Sequence, residues 1–132
     1  MNTSRPLRIA FAACAAVALA VAAGPAFAHA KLLSESPPAE DAPGAVAGST
    51  PVTEFRLTFS EGLNAAFSKA LVTDAAGNPV ATQSIALDPS DDKVLVVTFA
   101  APLTKGEYSV DWTAVAGDGH KTTGTYKVNV AQ

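Results

Sequence analysis

From residue 29 onward, apolar and polar residues alternate in short blocks, and glycine, proline, asparagine and aspartate separate one block from the next. In Glu54–Phe59, for example, every second residue is a phenylalanine or a leucine, which places these three side chains on one face of a strand. No block of ten or more residues has the period of a helix. This pattern is typical of all-β proteins and predicts about seven strands in a two-sheet sandwich.

The expected strands differ in how clearly the sequence pattern predicts them. The most apolar run, Val94–Phe99, predicts a central strand, whereas Val80–Leu87 predicts a weaker one. Asp74–Pro79 has Gly and Pro in turn positions and predicts a hairpin between its two neighbours. Residues 36–51 are rich in Pro and Gly and predict an irregular connection over the surface. The remaining strands are expected at Lys31–Leu33, Glu54–Phe59, Ala70–Thr73, through Tyr108, Val110 and Trp112, and through Tyr126, Val128 and Val130.

Residues 1–28 have the three parts of a secretory signal peptide. Arg5 and Arg8 precede an apolar run from Ile9 to Ala23, and Ala26-Phe27-Ala28 forms an A-x-A cleavage site. An uncleaved membrane anchor is the alternative, but the run is shorter than the roughly 20 residues that span a bilayer. We therefore expect cleavage before His29 and one domain over residues 29–132, exported to the periplasm.

Charge and cysteine content limit the function of the exported domain. The net charge of the chain is −3, and without Arg5 and Arg8 it becomes −5, which argues against a nucleic-acid partner. The only cysteine, Cys14, lies in the signal peptide. The domain therefore has neither a disulfide nor thiol chemistry, and its core must hold it together.

The first histidine of the domain is its expected first residue. After cleavage, His29 offers its α-amine and its imidazole Nδ1 to one metal ion as a six-membered chelate ring. The alternative is that a histidine follows the cleavage site by chance, because exposed chain ends usually have no function.

The second histidine lies in Ala116-Gly117-Asp118-Gly119-His120. In an extended chain, residues two apart point the same way, so Asp118 and His120 can converge on one ion. The alternative is an ordinary turn, because Asp-Gly is a common hairpin signal.

Together, the terminal amine, two imidazoles and one carboxylate supply three nitrogens and one oxygen. Such a set suits a tetragonal ion, and divalent affinities peak at copper. We therefore predict one Cu(II) per chain, although Zn²⁺ and Ni²⁺ remain alternatives. Other sites are poorly supported: Ser60 lacks a nucleophile elbow, and Asp88–Asp92 lacks the spacing of a calcium loop.

Four stretches of the sequence resemble the CopC family of periplasmic copper-binding proteins: His29–Ala39, Leu57–Leu63, Tyr108–His120 and Thr123–Gly124. The resemblance implies a Greek-key β-sandwich or barrel, of immunoglobulin-like or cupredoxin-like type, with one Cu(II) site near one end. It implies as ligands His29 through its amine and ring, Asp118 and His120. It also implies that Glu61 lies close by as an outer carboxylate.

One departure from the family concerns methionine. Some members carry a methionine-rich loop selective for Cu(I), but the only methionine here is Met1, which leaves with the signal peptide. Soft thioether ligands are therefore absent, and a single Cu(II) site remains.

The leading hypothesis is a monomeric copper carrier or buffer without enzyme activity, which serves copper tolerance or supplies an inner-membrane copper transporter. The rival is a copper oxygenase, because a terminal histidine with a second histidine also resembles the histidine brace of polysaccharide monooxygenases. Those enzymes need an open coordination position, which Asp118 would fill. A metal-free interaction module is the third possibility, since sandwich folds have many functions.

Overall fold

Seven β-strands make up most of the residues that the computed structural model describes, which are 29–40 and 51–131. The predicted signal peptide and residues 41–50 of the predicted connection lie outside them. Within the described ranges there is no helix long and apolar enough to cross a membrane. The strands are β1 (Leu32–Ser36), β2 (Glu54–Phe59), β3 (Lys69–Asp74), β4 (Thr82–Asp88), β5 (Asp91–Phe99), β6 (Gly106–Val115) and β7 (Lys121–Val130).

The strands form two antiparallel sheets that face each other. One has four strands in the order β1-β2-β5-β4, and the other has three in the order β3-β6-β7. The prediction of an all-β, two-sheet fold with about seven strands is therefore confirmed. The predicted central strand, β5, lies inside its sheet between β2 and β4, as expected for the most apolar run.

The core lies between the two sheets and follows the alternation of the sequence. Phe55, Leu57 and Phe59 of β2 are all fully buried, whereas the residues between them are partly exposed. Phe59 meets Trp112 of the opposite sheet edge-on, with ring centroids 5.1 Å apart. This contact joins the two sheets at the end of the molecule where β2 finishes.

The predicted hairpin at Asp74–Pro79 is present, but its second arm is short and is not β4. The turn itself is present: Asp74 Oδ1 accepts the backbone N–H of Ala76 and of Asn78, and Gly77 has a positive φ of 83°. The chain runs back beside β3 as far as Val80, whose N–H donates to the Val72 carbonyl at 2.8 Å. It then crosses the sandwich, because β3 and β4 lie in different sheets. The local sequence indicates where the chain turns, but the edge that accepts the next strand depends on packing far away. β4 is exposed along most of its length and pairs with β5 instead.

Gly124 provides a test of the packing in the three-stranded sheet. It lies opposite Trp112 in the β6–β7 ladder, and a Cβ placed on it would lie 2.4 Å from Trp112 Cζ2. We expect Gly124→Ala to destabilise the metal-free protein by about 1–3 kcal/mol, because the buried indole has to move. Urea unfolding measures this. Gly117→Ala is the control, since no described atom lies within 4 Å of its added Cβ, outside its chain neighbours. Equal stabilities for the two variants would contradict the tight packing of Trp112.

Candidate metal centre

The loop between β6 and β7 carries two of the predicted ligands. Its ends are joined by a hydrogen bond of 2.9 Å from the Ala116 N–H to the His120 carbonyl, and the Gly119 N–H donates to the Ala116 carbonyl at 2.9 Å. Gly119 has a φ of 90°, which L residues with side chains rarely adopt. The hairpin turn that the sequence offers as the alternative is present, and it holds Asp118 and His120 together.

Asp118 accepts two hydrogen bonds from His120. Its Oδ1 accepts the backbone N–H of His120 at 3.0 Å, and its Oδ2 lies 2.9 Å from the ring Nδ1. Both bonds lower the pKa of the Asp118 carboxyl below its usual range, and the bond from the backbone N–H has the larger effect. A proton on Nδ1 satisfies this contact, which leaves Nε2 of the neutral imidazole as a lone-pair donor.

His29 reaches the same place from the other sheet. It is exposed and precedes Ala30, which is only 1% exposed, and β1 begins two residues later. The centroids of the His29 and His120 rings lie 5.1 Å apart, with the ring planes tilted by 55°. Two histidines separated by most of the domain therefore face each other at one end of the sandwich. Both lie at the surface, as the sequence predicts for ligands rather than core residues.

The segment after β2 is hydrogen-bonded both to the chain that follows His29 and to the β6–β7 loop that contains His120. On one side, the Ser60 N–H donates to the Lys31 carbonyl at 2.9 Å. On the other side, the Gly62 carbonyl accepts the Gly117 N–H at 3.1 Å. Glu61 lies between these contacts and is partly buried. No hydrogen bond joins its carboxylate to His29, Asp118 or His120, so its role there stays a prediction.

Two hydroxyl groups at this end were not expected from the sequence. Ser60 Oγ accepts the Lys31 N–H at 2.9 Å, and Thr122 Oγ1 donates to the Ala30 carbonyl at 2.7 Å. These contacts join residues 29 and 92 positions apart. No local pattern indicates them, because the first requires the pairing of β1 with β2 and the second requires the packing of the two sheets.

The predicted ligands are not arranged as a metal-binding group. In the described part of the chain, no three His, Cys, Asp or Glu side chains lie together in a way that could hold a metal ion. The Asp118 carboxylate is turned toward the His120 ring. The backbone nitrogen of His29 is a peptide nitrogen in the 132-residue chain.

Comparison with known proteins identifies the family. The model of the CopC domain matches residues 33–131. The chain belongs to the CopC family. Among its relatives, Copper resistance protein C of Pseudomonas syringae pv. tomato is 42% identical over 108 residues, which cover 76% of this chain and 81% of the relative. Copper resistance protein C of Escherichia coli is 33% identical over 111 residues, which cover 80% and 83% of the two chains.

A solved structure has the same fold. The crystal structure of PcoC, described as a methionine-rich copper resistance protein from Escherichia coli, matches with a TM-score of 0.65 and 34% identity, over 77% of this chain and 98% of that one. This CopC-family chain differs in composition, since its only methionine is Met1. The region matched by the CopC model contains Glu61, Asp118 and His120 and begins after His29.

We expect Asp118 in the metal-free CopC-family domain to titrate below the usual aspartate pKa of about 3.9, because its ionised form accepts two hydrogen bonds. The stability from these bonds is therefore present above about pH 4 and is lost as the pH falls through the lowered pKa. Carbon-13 NMR of the Asp118 carboxyl measures this. A pKa at or above the usual value would contradict the hydrogen-bonded turn.

Proposed function

We propose that this protein is a periplasmic Cu(II)-binding protein that acts as a copper carrier or buffer in copper homeostasis or resistance. The observation that carries the proposal is the approach of the His29 and His120 rings to 5.1 Å, from two sheets and two distant parts of the chain. The relatives named as copper resistance proteins support the choice of metal.

The proposed site holds one Cu(II) through four donors. After cleavage, His29 supplies its α-amine and Nδ1, and the β6–β7 loop supplies the Asp118 carboxylate and an imidazole nitrogen of His120. To bind the ion, Asp118 exchanges its contact with His120 for the metal, a small rotation for an exposed side chain. Three nitrogens and one oxygen favour Cu(II) over the other divalent ions of the first transition series. Glu61 would add negative charge beside the cation.

The exposure of the site suits exchange of the metal. Relative exposure is 54% for the His120 side chain and 41% for that of Asp118, and His29 is also exposed. A partner can therefore approach the ion without opening the core. We propose an inner-membrane copper transporter as the partner of a monomeric carrier, located in the periplasm by the predicted signal peptide.

The rival function, a histidine-brace oxygenase, has less support from the geometry. Catalysis on oxygen needs an open coordination position. The Asp118 carboxylate lies 2.9 Å from His120 and is close enough to take that position. In addition, the rings of Phe55, Phe59 and Trp112 are buried, and the exposed ring of Phe67 does not by itself form a broad substrate face. The carrier is therefore the better account.

The free terminus is the first requirement of the proposed site. We expect protein that begins at His29 to bind one Cu(II), and the same protein with an added N-terminal Met to bind at least about a hundredfold more weakly, because the amine becomes an amide. This loss of affinity should exceed the 10- to 100-fold loss that typically follows removal of a group that only hydrogen-bonds to a metal ligand. Competition titration against a copper chelator measures both, with intact mass to verify the first residue. Equal affinities of the two proteins would show that the α-amine of His29 is not a copper ligand.

The affinity for Cu(II) should also depend on pH. Copper binds neutral imidazole and neutral amine, whose pKa values in model peptides are about 6.5 and about 7.7–8.0, so protons compete for the donors. We expect the apparent affinity to fall progressively below about pH 7, while the metal-free fold is unaffected because both histidines are exposed. Titrations from pH 5 to 8, paired with thermal melts of the metal-free protein, separate the two effects. A constant affinity over this range would argue against nitrogen ligation.

A further inference from the structure

One peptide group next to His29 is held on both sides by hydroxyl groups. The carbonyl of Ala30 and the N–H of Lys31 belong to the same peptide bond. Thr122 Oγ1 donates to that carbonyl at 2.7 Å, and Ser60 Oγ accepts from that N–H at 2.9 Å. We call this arrangement the peptide clamp.

The peptide clamp brings together three separate parts of the fold. Ser60 directly follows β2 in the four-stranded sheet, whereas Thr122 is the second residue of β7 in the three-stranded sheet and lies two positions after His120. The backbone of Ser60 adds a third bond, because its N–H donates to the Lys31 carbonyl. The buried Ala30 side chain fixes the same segment against the core. The chain is thus held from the residue directly after His29 onward.

We propose that Ser60 and Thr122 are positioning residues for copper binding, which hold the His29 amine and imidazole opposite Asp118 and His120. This inference rests on the proposed Cu(II) site. A chain terminus is normally mobile, and ordering it on binding costs conformational entropy. The peptide clamp removes much of that cost before copper arrives, which strengthens binding by preorganisation. Neither hydroxyl has to touch the metal to do so.

Thr122 offers a matched pair of variants. Thr122→Val keeps the branched shape and removes the hydroxyl, whereas Thr122→Ser keeps the hydroxyl and loses a methyl group. In protein that begins at His29, we expect Thr122→Val to weaken Cu(II) binding by about tenfold, which corresponds to about 1.4 kcal/mol, while Thr122→Ser stays within about twofold of the parent. Competition titration measures the affinities, and thermal melts without metal check that both variants fold. If Thr122→Val binds as tightly as Thr122→Ser, the positioning role is wrong.

A second parent protein, which lacks the donors of the terminal residue, shows whether Thr122 acts by positioning His29 or by changing the β6–β7 loop. With an added Met and His29→Ala, both donors of the terminal residue are lost, and only Asp118 and His120 remain. Here we expect Thr122→Val to change the remaining weak affinity, measured by direct titration, by less than about twofold. A tenfold loss in this background as well would mean that Thr122 acts through the loop, and would overturn the proposal.

Copper binding by the parent protein shows whether a negative result concerns the Cu(II) site or only the peptide clamp. If protein that begins at His29 does not bind Cu(II), the proposed function itself fails. If it binds Cu(II) tightly and the Thr122 variants behave alike, only the peptide clamp fails. Ser60→Ala provides an independent check, because it removes the acceptor of the Lys31 N–H and should also weaken binding. Faster amide hydrogen exchange at Lys31 should accompany this loss.

Discussion

The contact between Phe59 and Trp112 determines where the two halves of the candidate site meet. Both rings are buried, and they belong to different sheets. Phe59 pairs with Leu32 at the start of β1, and Trp112 lies opposite Gly124 near the start of β7. Because these two strand starts follow His29 and His120, the same packing that closes the core brings the histidines together. Burial of apolar surface, the main driving force of folding, thereby positions polar groups at the surface.

The site itself is built of exposed side chains on a well-connected backbone. The hydrogen bonds of the 60–64 segment reach both the chain after His29 and the β6–β7 loop, and the Ala116–His120 turn is closed by its own bonds. Such an arrangement fixes the backbone next to His29, Asp118 and His120 and leaves their side chains at the surface. This combination suits a protein that takes up and releases a metal ion, because neither event requires a change in the core. An enzyme that activates oxygen would instead need a coordination position kept open.

The sequence predicts much of this arrangement where the signal is local. The alternation in Glu54–Phe59 gives the bounds of β2 and its buried face, because a half-buried strand has a period of two. Asp118 and His120 lie side by side, but through a tight turn at Gly119 and not through the extended chain on which the prediction is based. The sequence predicts the approach of His29 to His120 only through metal chemistry, because a Cu(II) ion with three nitrogen donors would need both residues. Glu61 came from the family resemblance alone, since its spacing does not distinguish it from other acids.

Long-range packing accounts for what the sequence does not predict. The crossing of the chain between sheets after Asp74–Pro79 depends on which edge accepts β4, and a turn pattern carries no information on that choice. The contact of Ser60 with the Ala30–Lys31 peptide depends on the pairing of β1 with β2, and that of Thr122 depends on how the two sheets pack. We propose that His29 and His120 bind the same Cu(II) ion, and pulsed electron paramagnetic resonance tests this most directly by counting coordinated imidazoles. We expect two imidazoles in protein that begins at His29 and one in its His120→Ala variant, whereas a single imidazole in both proteins would show that the histidines do not share the ion.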